Sequence, residues 1–475
     1  MSSGYNLETG STGLSWLTVL IIAILILVGT IGSYPLTDKT EGRYAEIARI
    51  MVVTGDWVTP RLEPDVPFWG KPPLEFWLTA TSFKVLGFNE FAARLPSLLL
   101  MLLTAGLIFL LGNSRNGPES GLASSAIMIT TAISFVSAEM VMTDPALVFA
   151  TTLAMMSFWQ AVSTNNRWWG YLFFIGIALG LLAKGPLVLV LVLLPITIWA
   201  IWLRAWGRIW RSLPWLTGLF LMIVISLPWY LLAESRTPGF LNYFIIGEHI
   251  MRFIDSGWNG DLYGSAHSYP KGMIWLYWLL AALPWSILTI RVVSRWFNKS
   301  KKRLGLDDWR LYLLLWGLTP MLFFSLTSNV LPTYVLPAIP ALALILGSDS
   351  SVISNIRIRH IGWLTPFSIL IFIVAFNNVI EGRSQKQVIS DFKDLKQKQP
   401  LVYFYKRPYS ASFYTDGSAI LADTLSQIYM YLDNPGTQFF AIKNDKITNL
   451  EASTLHRLKL VKKYQRYTMY RKRGA

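Results

Sequence analysis

Through residue 380, apolar residues gather into runs of about 20, and polar residues are confined to the gaps between them. A hydrocarbon core of about 30 Å takes roughly 20 apolar residues per helix. The runs near 14–33, 93–112, 120–139, 144–163, 168–184, 186–203, 213–234, 272–291, 309–327, 331–348 and 360–380 therefore predict about 11 transmembrane helices. The run at 331–348 is short and carries Pro332, Pro337 and Pro340, which neighbouring helices can accommodate. The first run follows a segment without Lys or Arg, unlike the basic leader of a secretory signal, and predicts a retained helix.

Beyond residue 380 the pattern changes. Short strand-like runs at 401–405, 437–442, 458–461 and 467–470 alternate with helical stretches near 424–432 and 447–456. The expected architecture is an all-α polytopic membrane domain over 1–380, with interfacial helices in its first outer loop, and a small soluble α/β domain over 381–475.

Charge sets the orientation. One set of alternate loops holds Arg115, then Arg167, then Arg204, Arg208 and Arg211. Arg295, Lys299, Lys301, Lys302 and Arg303 follow, then Arg357 and Arg359, while the short loops of the other set are nearly bare. The basic set belongs in the cytoplasm. The long loops 34–92 and 235–271 and the C-terminal domain then lie on the outer side of a multi-pass membrane protein.

Composition agrees: 53% of residues are hydrophobic and 15% charged. The net charge of +15 resides in loops and tail, which points to anionic lipid head groups as partners and not to nucleic acid. With no Cys, thiol catalysis, disulfides and Cys-rich zinc sites are excluded. The four histidines, His249, His267, His360 and His456, are too scattered to suggest a multi-His metal cage.

Candidate chemistry concentrates in 38–84. Tyr44, Ile47, Ala48 and Met51 recur at i, i+3, i+4 and i+7, the spacing of an interfacial amphipathic helix. Asp38 and Glu41 have the spacing of a capping box, or supply a carboxylate to an acceptor. Arg43 in the first turn opposes the helix dipole but suits a phosphate. Lys71 precedes Pro72 and Pro73, which start a helix running to Gly87, so its ammonium stands where helix N–H groups already favour an anion.

Asp144 before Pro145 reads as a helix start or a functional acid. Lys184 before Gly185 and Pro186 reads as a helix C-terminus or a phosphate ligand. In the second long loop, Glu248, His249 and Arg252 precede an aromatic stretch with Trp258, Tyr263, His267 and Tyr269 that could stack on sugar rings. Irregularly spaced Leu-Pro-Trp triplets at Leu213, Leu227 and Leu283 suggest interfacial anchors.

With these residues laid out, the sequence resembles the C superfamily of integral-membrane glycosyltransferases, close to the lipid A aminoarabinose transferases and the protein O-mannosyltransferases. The resemblance rests on short pieces in a fixed order along the membrane part. They are Glu41-Gly42-Arg43-Tyr44-Ala45-Glu46-Ile47, Gly55-Asp56-Trp57 with Pro60, Lys71-Pro72-Pro73 with Trp77, and Phe91-Ala92-Ala93-Arg94-Leu95-Pro96. Asp144, Lys184-Gly185-Pro186, Glu248-His249 with Arg252-Phe253, and Tyr334-Val335-Leu336-Pro337 complete the set.

The resemblance implies inverting transfer of a sugar at the inner membrane, from a polyprenyl (undecaprenyl) phosphate carrier to a periplasmic acceptor, lipid A or another envelope glycolipid. Lys71, Arg43, Arg252 and Lys184, with Tyr44, would hold the donor phosphate; Glu248 and Tyr334 would contact substrate. Glu41 or Asp38, with Asp144, would orient or deprotonate the acceptor. The family usually has adjacent acids two positions before the Arg-Tyr pair, where this chain has Thr40 and Glu41. The aminoarabinose transferases place a Glu before Lys-Pro as a metal ligand with the loop histidine. Gly70 stands there, so a divalent metal at His249 lacks that partner. A protein acceptor on the same fold is one alternative, and a polytopic transporter or flippase is another. Against the latter stand charges gathered on one face, no paired half-repeats and a folded outer domain. No Walker or dinucleotide motif occurs.

Overall fold

The computed structural model describes residues 15–255, 257–264, 268–298, 306–395 and 399–473; Lys299, Lys301, Lys302, Arg303 and His267 lie outside the described residues. Among the described residues four helices are long and apolar enough to cross a membrane: Glu90–Asn116, Asp144–Thr164, Trp215–Arg236 and Ile356–Ala375, the last continuous across a short break. Shorter apolar helices cover Trp16–Thr30, Leu187–Leu203 and Pro332–Gly347. Glu90–Asn116 shows why its ends fall where they do. The Asn89 side chain caps Ala92 N–H, Glu90 and Arg115 suit the two ends of the dipole, and Gly117 follows with a φ of 87°.

Two runs expected as straight helices are bent. Pro118–Thr130 and Ala132–Ala138 meet at 71°, and Met273–Ala281 and Ser286–Asn298 at 107°. The two breaks lie against each other and are joined by two hydrogen bonds, one of which satisfies a freed backbone N–H. Ala132 N–H donates to Leu283 O at 2.8 Å, and Trp285 Nε1 donates to Thr130 Oγ1 at 3.1 Å. A run-length argument sees neither bend, because the compensation comes from another helix.

The loop after the first helix carries helices Thr40–Thr54 and Leu74–Leu86, joined by a small hairpin of β1 (Arg61–Glu63) and β2 (Val66–Pro67). Tyr44, Ile47, Ala48 and Met51 are all buried, as their spacing requires. They pack with Phe68, Phe76, Phe83 and Phe413. The expected capping box is not formed: the helix starts after Lys39 without a side-chain cap, and the Asp38 carboxylate turns away.

Residues 402–472 form a five-stranded sheet in the order β4-β3-β5-β7-β6, from β3 (Val402–Phe404), β4 (Ile420–Ala422), β5 (Phe439–Lys443), β6 (Leu458–Lys463) and β7 (Tyr467–Lys472). β3 runs parallel to β4 and β5, whereas β7 is antiparallel to β5 and β6. Strand alternation feeds two cores. Tyr403, Ala441 and Met469 face helix Lys386–Asp394, and Val402, Phe404, Phe440 and Ile442 face helix Leu425–Asp433. β4 and the helices Lys386–Asp394 and Tyr409–Tyr414 were not legible in the sequence pattern. Phe413 leaves the sheet's cores for the core of the first loop and so joins the two regions.

Candidate active site

A cavity of 190 Å³ opens where the first loop, the second loop and the ends of three helices converge. Each wall residue is placed by local backbone chemistry. Lys71 precedes the proline pair that leads into Leu74–Leu86. Lys184 ends helix Arg167–Lys184, and Gly185, at a φ of 69°, turns the chain into Leu187–Leu203. Glu248 and His249 lie in a π-helical segment, Asn242–Met251, whose wider turns the sequence reading missed, and Arg252 follows it.

The polar part of the lining is a charge network. Lys71 Nζ lies 3.1 Å from Glu248 Oε2, and Arg252 Nη1 spans the same carboxylate at 2.8 and 2.9 Å. Tyr243 donates to Glu248 Oε1 at 3.2 Å. Burial alone would raise the Glu248 carboxyl, but the charges of Lys71 and Arg252 hold it below the ordinary range. Burial likewise opposes the Lys71 ammonium, and Glu248 reverses the effect, so Lys71 stays charged. Arg252 Nε is buried with no hydrogen-bond partner, Asp261 Oδ2 standing 3.5 Å away. Lys71 and Arg252 share Glu248, Asp261 pairs with Arg252 as well, and the Arg252 Nε–H that makes no hydrogen bond is the donor left for an anion.

Lys184 also lines the cavity. Its Nζ is 2.8 Å from Asp144 Oδ1 and 5.3 Å from the centre of the Tyr334 ring. Asp144 is the first residue of helix Asp144–Thr164 and stands one ion pair behind the cavity wall. The rest of the lining is largely apolar, with Leu187, Val190, Phe244, Phe253, Phe323 and Phe324. An amphiphile with an anionic head matches this distribution.

The structure brings Lys71, Lys184, Glu248, His249, Arg252 and Tyr334 together and leaves the first-loop acids elsewhere. Glu41 is 2% exposed and fully engaged: Arg94 Nε and Nη2 reach its two oxygens at 2.9 and 3.2 Å, and Thr37 Oγ1 donates at 2.8 Å. Arg94 also donates to the carbonyls of Ile31, Tyr34 and Pro35. The pair therefore fixes the loop's entry, and the expectation that Glu41 meets Lys71 in one pocket is corrected. Asp38 accepts from Ser410 N–H at 3.0 Å and from Ser410 Oγ. Arg43 donates to Tyr263 O at 3.2 Å and lines a second cavity, also away from Lys71. Tyr44 is buried edge-on to Phe76 at 5.4 Å, and its hydroxyl acts on Lys71 only electrostatically.

The residues do not fit a metal at His249. Nδ1 lies 2.7 Å from Phe244 O and Nε2 lies 3.0 Å from Lys184 O, so both ring nitrogens face backbone carbonyls. A Cβ added at Gly70 would meet Phe68 Cζ at 2.8 Å and Tyr263 Cδ2 at 3.3 Å, which closes the position of the second ligand. Among the described residues no group of three or more His, Cys, Asp or Glu is placed to hold a metal ion.

Sequence reasoning overlooked Glu75. It is 0% exposed, with Oε1 3.4 Å from Thr79 Oγ1 and Oε2 unpartnered. Burial pushes its carboxyl up to about 8, with the Asp144 charge acting in the same direction. In the sequence it reads only as an acid in a helix's first turn.

A family model of dolichyl-phosphate-mannose-protein mannosyltransferases matches residues 12–244. The undecaprenyl phosphate-α-4-amino-4-deoxy-L-arabinose arabinosyl transferase of Edwardsiella ictaluri is 30% identical over 341 residues, 70% of this chain and 58% of that protein. Its counterpart in Erwinia tasmaniensis is 32% identical over 320 residues, 66% of this chain and 55% of that protein. The matched stretch thus spans less than two thirds of these relatives. The crystal structure of ArnT from Cupriavidus metallidurans bound to undecaprenyl phosphate superposes with a TM-score of 0.78 at 20% identity, covering 97% of this chain and 98% of that one. The chain shares the fold of that structure across nearly its whole length, and its membrane part resembles the aminoarabinose transferases in sequence.

Proposed function

We propose that this chain moves a sugar from a polyprenyl phosphate carrier to an anionic envelope glycolipid such as lipid A. The observation that carries the reading is the 190 Å³ cavity itself, lined by Lys71, Arg252 and Lys184 together with aromatic and aliphatic side chains. The cations hold the carrier phosphate, and they stabilise it further as the anomeric C–O bond breaks and the bonding pair passes to the phosphate oxygen. Glu248 keeps Lys71 and Arg252 charged and aimed, and Tyr334 borders the sugar side beside Lys184. Asp144 positions Lys184.

No first-loop carboxylate reaches this cavity, so the acceptor that fits best brings its own negative charge and needs positioning more than deprotonation. The protein-acceptor alternative draws support from the mannosyltransferase family match. We place the cavity on the periplasmic side of a chain with about 11 spans, ahead of a C-terminal domain beginning near residue 381, on the strength of the loop charge bias.

The test is incubation of the purified chain with polyprenyl phosphate sugars and either lipid A or envelope protein, read by mass spectrometry. Sugar on lipid A, reduced about 100-fold or more in Lys71→Ala, is expected. Modification of protein alone would replace the acceptor, and no transfer from any polyprenyl donor would overturn the reading.

A further inference from the structure

We propose that a second cavity, between the first loop and the C-terminal sheet, docks the phosphomonoester head of the acceptor glycolipid; this rests on the transfer reading above. The cavity measures 490 Å³, and seven of its lining residues are Lys or Arg against two carboxylates. Both carboxylates are already committed. Asp38 accepts from Ser410, and Glu63 pairs with Arg407 at 2.7 Å. Lys39, Arg383, Lys406 and Arg466 are exposed on its walls. Among the described residues no carboxylate stands within ion-pair distance of any of the four. Arg43 closes the inner end, with one Nη on Tyr263 O at 3.2 Å and a buried Nε that has no partner.

Seven cations against two carboxylates around one concavity, with Lys406 facing the Asp38 charge, leave a net positive potential that a neutral sugar does not need. Guanidinium forks beside ammonium groups suit the several oxygens of a phosphate monoester. The half-buried Tyr409 on the same wall offers a face to the sugar that bears it.

The position favours an acceptor. Tyr263 lines the second cavity and is bonded to the stretch just before Lys71: its hydroxyl donates to Pro67 O at 3.2 Å and accepts from Trp69 N–H at 3.0 Å, and its carbonyl takes Arg43. Lys71 is two residues beyond Trp69 and lines the first cavity. A glycolipid head held at Lys406 and Arg466 is thus linked, through Tyr263 and Trp69, to the segment that carries Lys71. Sequence periodicity could not join these residues, because positions 39–43, 383, 406 and 466 meet only through the docking of the sheet.

The experiment uses the full chain in nanodiscs of zwitterionic lipid and measures equilibrium binding of bisphosphorylated lipid A, its dephosphorylated form, and a soluble bisphosphorylated glucosamine disaccharide. The expected result is at least ~10-fold tighter binding of the phosphorylated lipid, a charge-assisted contact of ordinary strength. The soluble disaccharide should compete for it. Lys406→Gln with Arg466→Gln should remove that preference and leave polyprenyl phosphate affinity unchanged, which also reports folding. Lys406→Arg with Arg466→Lys should keep it. Equal binding of the dephosphorylated lipid by the unmodified chain, or an intact preference in the Gln variant, overturns the assignment. Loss of the preference in the Gln variant in a protein that transfers no sugar from any polyprenyl donor would support the cavity while removing the transfer reading.

Discussion

Lys184 Nζ and Asp144 Oδ1 lie 2.8 Å apart, joining the last residue of one helix to the first residue of the helix before it. Asp144 is the only one of the three expected acids in contact with a residue of the 190 Å³ cavity's wall. Asp144→Asn leaves Lys184 in place but unrestrained. We expect transfer to fall about 100-fold, with polyprenyl phosphate binding kept within a few-fold, as for a lost interaction made chiefly in the transition state. Comparing single-turnover rates with carrier affinity checks this, and undiminished transfer would count against the positioning role.

Glu41→Gln addresses stability and not turnover. The substitution leaves Arg94, 0% exposed, with a neutral partner in a buried site. Breaking a buried pair on one side costs about 3–5 kcal/mol. The variant should show a lowered thermal midpoint, and whatever folded fraction remains should bind polyprenyl phosphate normally. A variant with the parent's midpoint and no activity would return Glu41 to the chemistry.

Burial raises the Asp38 carboxyl from 3.8 to about 6, while the bonds from Ser410 pull it back down. The folded form therefore binds this proton more tightly than the unfolded chain. The stability from this group is complete below about pH 4 and is lost as pH rises through about 6. Asp38→Asn, which keeps an acceptor for Ser410, should flatten that part of the pH dependence. Thermal unfolding from pH 4 to 7 in both proteins checks it; parallel curves would refute the linkage.

His249 and Gly70 predict insensitivity to chelators, since both imidazole nitrogens face carbonyls and the space at Gly70 is taken by Phe68 and Tyr263. Gly70→Glu should lower stability by forcing those rings apart, at a cost of about 1–3 kcal/mol, and should not create zinc affinity. Metal analysis and unfolding of the variant decide it. Activity abolished by chelation and restored by zinc in the parent chain would show the opposite.

What the sequence determined on its own is local. The spacing of Tyr44, Ile47, Ala48 and Met51 specified a buried helix face, the prolines after Lys71 specified a helix start, and Gly185 specified the turn that ends the helix at Lys184. Those signals act within one or two helical turns, where periodicity and backbone preference suffice. The bends at Thr131 and Leu283 were decided by tertiary structure, because the hydrogen bonds that join the two breaks link distant segments of the chain. So was the fate of the acids. Asp38 and Glu41 are three residues apart, yet one answers to Ser410 and the other to Arg94. A carboxylate's role is set by which distant cation or donor packing delivers to it, and only the folded chain supplies that partner.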